Sequence, residues 1–243
     1  MISLIYSEFL KLKRLSIIFY MAIGSSFMPL LLDAAVLISN DRQRTYESYM
    51  YNSEGISFTF MHGILFSIIA AYVFSREFNY KTAGNLYSYS YTRNQIFSGK
   101  LIVVWIIMMI ITIIQWMVSN LGYCILFGVP EWNLILIDMV INIKALLFQI
   151  ALVSVPVLIV NIGNKMVLPI MYSVIMLVFQ LITSEMDIEF NLYNPLLGSR
   201  SVFIDAYGRE SCDIKYMAVY AALIFLIFCL LYTSPSPRDG ATS

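Results

Sequence analysis

REFNYKTAGNLYSYSYTRNQIFSGK, Arg76 to Lys100, is a polar stretch between two long apolar runs. It carries Arg76, Lys81, Arg93 and Lys100 against the single acid Glu77. Short loops rich in Lys and Arg stay on the cytoplasmic side of a bilayer. The stretch therefore reads as a cytoplasmic loop and sets the direction of the flanking runs. Arg76 to Leu86 suits a short surface helix with Glu77 and Lys81 spaced to pair at i,i+4. Tyr87 to Tyr91 alternates Tyr with Ser and offers side chains that pack on a partner or rest at the lipid interface. Two readings stand: a loop that docks a separate cytoplasmic protein, and a loop whose charges only fix topology.

Outward from this island the chain is apolar. Of 243 residues, 60% are hydrophobic and 12% charged, against roughly a quarter charged in soluble domains. The mean hydropathy is +0.78. These values describe an all-α, polytopic membrane protein. The formal charge is zero, so no global pull toward nucleic acid is expected and any charge effect is local.

The spacing predicts six spans in one membrane domain, residues 1–232: 15–38, 56–75, 101–127, 145–162, 166–183 and 216–232. About 20 apolar residues cover the hydrocarbon core. Ile2, Ile5, Phe9 and Leu12 recur at helical spacing before Lys11, Lys13 and Arg14, which predicts an amphipathic helix lying at the cytoplasmic interface. No small-residue cleavage site follows, so the run reads as an uncleaved anchor. Ser39 to Gly55 is polar and reads as an external loop. Asp138 and Lys144 interrupt the fourth apolar region, and a charge at the bilayer centre costs at least about 2.5 kcal/mol. Trp132 to Lys144 is therefore placed at the outer interface. Ser184 to Lys215 is expected to be an external, partly folded connection.

Counting Lys and Arg orients the whole. Lys11, Lys13, Arg14, Arg76, Lys81, Arg93, Lys100 and Lys165 fall inside, against six outside, mostly in longer loops where the rule weakens. Both termini are expected in the cytosol. The end of the chain stands apart: CLLYTSPSPRD, Cys229 to Asp239, matches the translation of a sequencing-library adapter residue for residue. Natural sequence is expected to end near Phe228, with 233–243 a non-native tail. The apolar start of that stretch still suits continuation of the last helix.

Motifs for catalysis are absent. The sequence has no G-x-x-x-x-G-K-[ST], no H-E-x-x-H and no G-x-S-x-G. Cys124, Cys212 and Cys229 have no metal-like spacing, and the single histidine, His62, has no second ligand at i+3 or i+4. His62 is expected to make a buried hydrogen bond to a neighbouring helix. Asp33, near the outer end of the first span, is expected to reach water or a headgroup. Neither a metal, a cofactor nor an enzymatic activity is expected.

With the basic start SEFLKLKR, six spans and the loop FSREFNYKTAGNLYSYSYTRNQIFSGKL, the chain resembles the permease subunit of type-2 ABC exporters. It is most similar to the small permeases of lantibiotic or bacitracin immunity transporters. The resemblance rests on Glu8, Lys11 and Lys13, beside Arg14, in the leading helix, and on Glu77, Lys81, Thr82, Arg93 and Lys100, beside Arg76, in the loop. It implies that Glu77 to Leu86 forms a coupling helix seated in a groove of a separate ABC ATPase subunit. Arg93 and Lys100 then anchor the return to the membrane. It further implies a second permease copy or sister permease, a bacterial cytoplasmic membrane, and an amphipathic peptide or lipid-like cargo. Asp138, Lys144 and the C-terminal end depart from the family pattern. The alternative is a stand-alone membrane binding or immunity protein without transport. An intramembrane enzyme would work through His62 or Asp33.

Overall fold

The computed structural model describes residues 2–13, 17–39, 44–79, 93–163, 165–185, 194–207 and 213–233. Among them every regular element is helical. Helix α1 spans Ile2–Lys13 and α2 spans Ile17–Ser39. A single rod follows, in which α3, Tyr46–Met50, passes through two π-helical segments, Tyr51–Gly55 and Phe58–His62, into α4, Gly63–Asn79. Helices α5, Arg93–Phe127, and α6, Trp132–Leu152, come next. They are followed by α7, Ser154–Gly163, and α8, Val167–Glu185. A 3-10 turn, Pro195–Leu197, leads to α9, Gly198–Ala206, and α10 is Ile214–Thr233.

Four helices are long and apolar enough to cross a membrane: Ile17–Ser39, Tyr46–Arg76, Asn94–Phe127 and Trp132–Gly163. Two shorter apolar helices, Val167–Thr183 and Ile214–Leu230, match the fifth and sixth expected runs in position. Lipid offers the backbone no hydrogen-bond partners, so each crossing segment must close its own ladder. Pro29 does not break α2; the Ser25 and Ser26 hydroxyls one turn earlier both return to the Ala22 carbonyl, at 3.0 and 2.8 Å.

Several boundaries differ from those expected. The polar stretch before residue 56 is not all loop, because Thr45 caps the rod by accepting from the Ser48 amide at 3.3 Å and the helix begins at Tyr46. Helix α5 starts at Arg93 rather than 101. The largest correction concerns the fourth region. Trp132 to Lys144 is not a separate interfacial piece but the first part of α6, which joins α7 at Val153. Its one deeply placed acid, Asp138, is 1% exposed and is held by polar partners. The last helix runs on to Thr233 through the apolar Cys229–Tyr232 stretch. Residues 80–92 and 234–243, with most of the expected coupling helix and of the expected non-native tail, lie outside the described residues.

The core has two ends. At one, Ile5 and Phe9 of α1 pack with Phe74, Phe97 and Leu101, so α1 is pinned to the bundle near the start of α5. Tyr6 and Leu10 on its other side stay exposed. At the opposite end Tyr46, Tyr49 and Met50 pack with Tyr123, Phe127 and Tyr207. Between them α2 lies along α5, α4 packs on α7 and α8, and α9 and α10 cover α6. Gly128, with φ +99°, makes the turn from α5 to α6; a side chain is strained in that left-handed conformation.

Gly122 of α5 marks the closest approach at the aromatic end. The Tyr49 hydroxyl donates to Asp33 Oδ1, and a Cβ at position 122 would overlap both that hydroxyl and the carboxylate. Gly122→Ala is therefore expected to lower stability by about 1–3 kcal/mol, read as a reduced melting temperature in detergent. An unchanged melt contradicts this packing.

Candidate functional site

Three features organise the molecule. The first is the base of the basic loop, where α4 and α5 flank residues 80–92. Arg76 is half-buried near the end of α4. Lys100 is only 5% exposed, with Nζ 5.6 Å from the centroid of the Phe74 ring, a cation–π geometry. That ammonium of α5 thus faces an aromatic ring of α4. Glu8 is also buried, on α1, which packs on α5. The backbones of Glu77 and Arg93 belong to α4 and α5, and those of Lys11 and Lys13 to α1. Their side chains, and all of Arg14, Lys81 and Thr82, lie outside the described residues.

The second feature is a cleft between α4, α7 and α8, closed at one side by the 3-10 turn. Its cavity volume is about 50 Å³. Three hydroxyls on its wall turn back onto their own helices, and the Tyr172 phenol lines it as well. Thr59 donates to the Gly55 carbonyl, Ser67 to Gly63 and Ser173 to Ile170, each at 2.8 Å. The amides are occupied too: Gln149 donates to Ser199 Oγ at 2.8 Å and Gln180 to the Leu196 carbonyl at 2.7 Å. What remains to meet an occupant is largely Ile64, Phe66, Leu152, Pro156, Met176 and Leu177. Such a wall suits an apolar or amphipathic guest.

The third feature is a buried polar network at the aromatic end, tying five elements together. Asp138 accepts from Trp116 Nε1 at 2.8 Å and from the Tyr207 hydroxyl at 2.7 Å. Asn142, one turn on, donates through Nδ2 to Glu54 Oε2 and to the Asp138 carbonyl. Asn120 Oδ1 accepts from the Tyr46 hydroxyl at 2.8 Å, and Ser53 meets Ser119 at 3.0 Å. Burial first, then the Asp138 and Glu54 carboxyls, push the Tyr207 phenol above the ordinary tyrosine range, so it stays a donor.

Sequence reasoning reached these features unevenly. Asp33 is half-buried, and its Oδ1 accepts from the Tyr49 hydroxyl. Trp116 points its indole N–H at Asp138. His62 is fully buried, but its ring lies between Phe58 and Phe66, with centroids 4.2 and 4.9 Å away, and the one polar group acting on it is the Ser57 backbone of its own rod. The expected hydrogen bond to a neighbouring helix is not made. Glu54, the most buried acid, drew no attention in a stretch that reads as loop. No group of three or more potential metal-ligating side chains occurs among the described residues.

Gly63 lines the cleft, and a Cβ there meets nothing within 4 Å. Gly63→Phe is expected to fill the cleft and displace an apolar fluorescent probe while leaving the melting temperature unchanged. Undiminished probe binding contradicts the cleft as a guest site.

A family model described as an ABC-2 family transporter protein matches residues 4–180. No curated protein matches the chain. No solved structure matches it either.

Proposed function

The chain belongs to the ABC-2 family of transporters, and from that premise we propose that it expels an amphipathic peptide or lipid-like compound, as in immunity to an antimicrobial peptide. Membership makes it the membrane-spanning permease subunit of an ABC transporter, a family that works with an ABC ATPase. The observation that carries the cargo reading is the cleft, where the Thr59, Ser67 and Ser173 hydroxyls are occupied by their own helices and most of the remaining wall is aliphatic and aromatic. A guest drawn from the bilayer interior loses little by entering such a surface, since the exchange is apolar for apolar.

In this reading the six apolar helices all cross a bacterial cytoplasmic membrane, with both termini in the cytosol. Energy arrives from outside the bundle. ATP binding closes the partner ATPase and pushes the loop between the second and third crossings, where Glu77 to Leu86 forms the coupling helix. Hydrolysis resides in that partner, and this chain has no nucleotide site of its own. The rigid base matters here. With Lys100 over Phe74 and α1 pinned beside the start of α5, force on the loop moves α4 and α5 as levers instead of melting their ends. Helix α4 is also a wall of the cleft, so displacement of the loop alters the guest's surroundings and biases the bundle between two arrangements. A second permease copy or sister permease completes the pathway.

Co-purification with the ATPase subunit tests this. Replacing Glu77, Lys81 and Arg93 together by Ala is expected to abolish recovery of the ATPase while the permease remains in the membrane fraction. A complex recovered in undiminished yield contradicts the docking role of the loop.

A further inference from the structure

The buried network holds two carboxyls, and one of their four oxygens, Glu54 Oε1, has no donor among the described residues. Glu54 is 0% exposed and Asp138 1% exposed, and both lie within apolar candidate spans. The two Asp138 oxygens accept from Trp116 and Tyr207, with Asn120 and Tyr46 also beside that carboxyl. Glu54 Oε2 is taken by Asn142. Glu54 Oε1 is buried and has no donor among the described residues, while the Glu54 and Asp138 side chains lie within hydrogen-bonding reach of each other. Two ionised carboxylates are acceptors only, so a hydrogen bond between them requires that one carry a proton.

We propose that Glu54 and Asp138 form a proton-binding site, one proton shared between the two carboxyls and latching the π-helical segment Tyr51–Gly55 to α6. The surroundings favour that ligand. The titratable groups facing the pair are Tyr46 from α3 and Tyr207 after α9, with Cys124 of α5 acting on Tyr46 and the Tyr49–Asp33 pair beyond Glu54. Neither carboxyl is faced by a Lys or Arg among the groups that act on it. A second negative charge in this apolar setting would stand uncompensated, whereas a shared proton removes it and supplies the missing hydrogen bond.

The backbone at this point departs from regular α-helix. Glu54 stands in a π-helical turn with a second π-helical segment three residues on, a local geometry that concentrates at functional sites. Loss of the proton to water leaves both carboxylates charged and facing each other. The latch between the rod and α6 then opens, and with it the contact to α9 through Tyr207. The same rod forms one wall of the cleft, so protonation of the pair couples to the shape of the guest site.

Infrared spectroscopy on the full-length protein in lipid nanodiscs tests the proposal. The wild type is expected to show the carbonyl stretch of a hydrogen-bonded carboxylic acid that shifts in deuterated water, is lost in Glu54→Gln and in Asp138→Asn, and survives in Asp33→Asn. Glu54→Gln keeps the contact, because its amide can donate to Asp138 in place of the proton, and it decides the matter alone if Asp138→Asn does not fold. A band unchanged in Glu54→Gln overturns the proposal. So does a carboxylate band that responds to added sodium, which would make the ligand a metal cation. The second readout is pH. A proton bound by the folded pair and absent from the unfolded chain makes stability fall as pH rises, by up to about tenfold in the unfolding equilibrium per pH unit. The wild-type melting temperature is therefore expected to fall toward alkaline pH more steeply than that of Glu54→Gln; equal slopes overturn the proposal.

Discussion

Everything in this bundle depends on one constraint: a polar group surrounded by lipid must find its partner inside the protein. Asp138 meets it with two donors from different elements, Trp116 on α5 and Tyr207 after α9, and Asn142 extends the same solution to Glu54. The result is a polar knot that fixes how α5, α6, α9 and the π-helical rod sit together. Hydrophobic burial cannot choose among helix pairings in a bilayer, because lipid tails are as apolar as Leu. Hydrogen bonds between helices can, and here they join residues 22 and 69 positions apart in the chain.

The opposite end is organised differently. There Phe74, Phe97 and Leu101 pack with Ile5 and Phe9 of α1, and Lys100 caps the cluster through its approach to Phe74. An apolar junction with one cation is stiff without being specific to a proton or a donor. It suits a part that takes load. The cleft lies between the two ends, where Gln149 and Gln180 reach toward Ser199 and Leu196 and so join its wall to the elements around α9. Under the proposed function, work enters at one end and the guest is held in the middle, and that division asks for a stiff base and a rearrangeable far end.

Much of this architecture was legible in the amino-acid sequence, for reasons that can be named. Runs such as Leu101–Phe127 announce themselves because about 20 apolar residues are what a bilayer requires, and the basic loop shows itself by contrast. Asp138 was misplaced for an equally physical reason. The cost of a lone intramembrane charge argued for the interface, and nothing local signals that Trp116 and Tyr207 meet it. Tyr46–Gly55 read as loop because its composition is polar, yet Tyr46, Tyr49, Ser53 and Glu54 all point inward. The cleft was invisible because its hydroxyls and amides become part of a wall only once α4, α7 and α8 converge. The family match supplied what neither pattern nor packing contains, namely the need for an ATPase partner.

The account stands on the basic loop facing the compartment where ATP is held. Its most direct measurement places one cysteine at Ser88, in a chain whose Cys124, Cys212 and Cys229 are replaced, and asks when a membrane-impermeant maleimide reaches it. Labelling confined to inside-out vesicles and lysed cells is the result expected. Labelling of intact cells would put the loop on the wrong side of the membrane for an ATPase to grip it and would contradict the account.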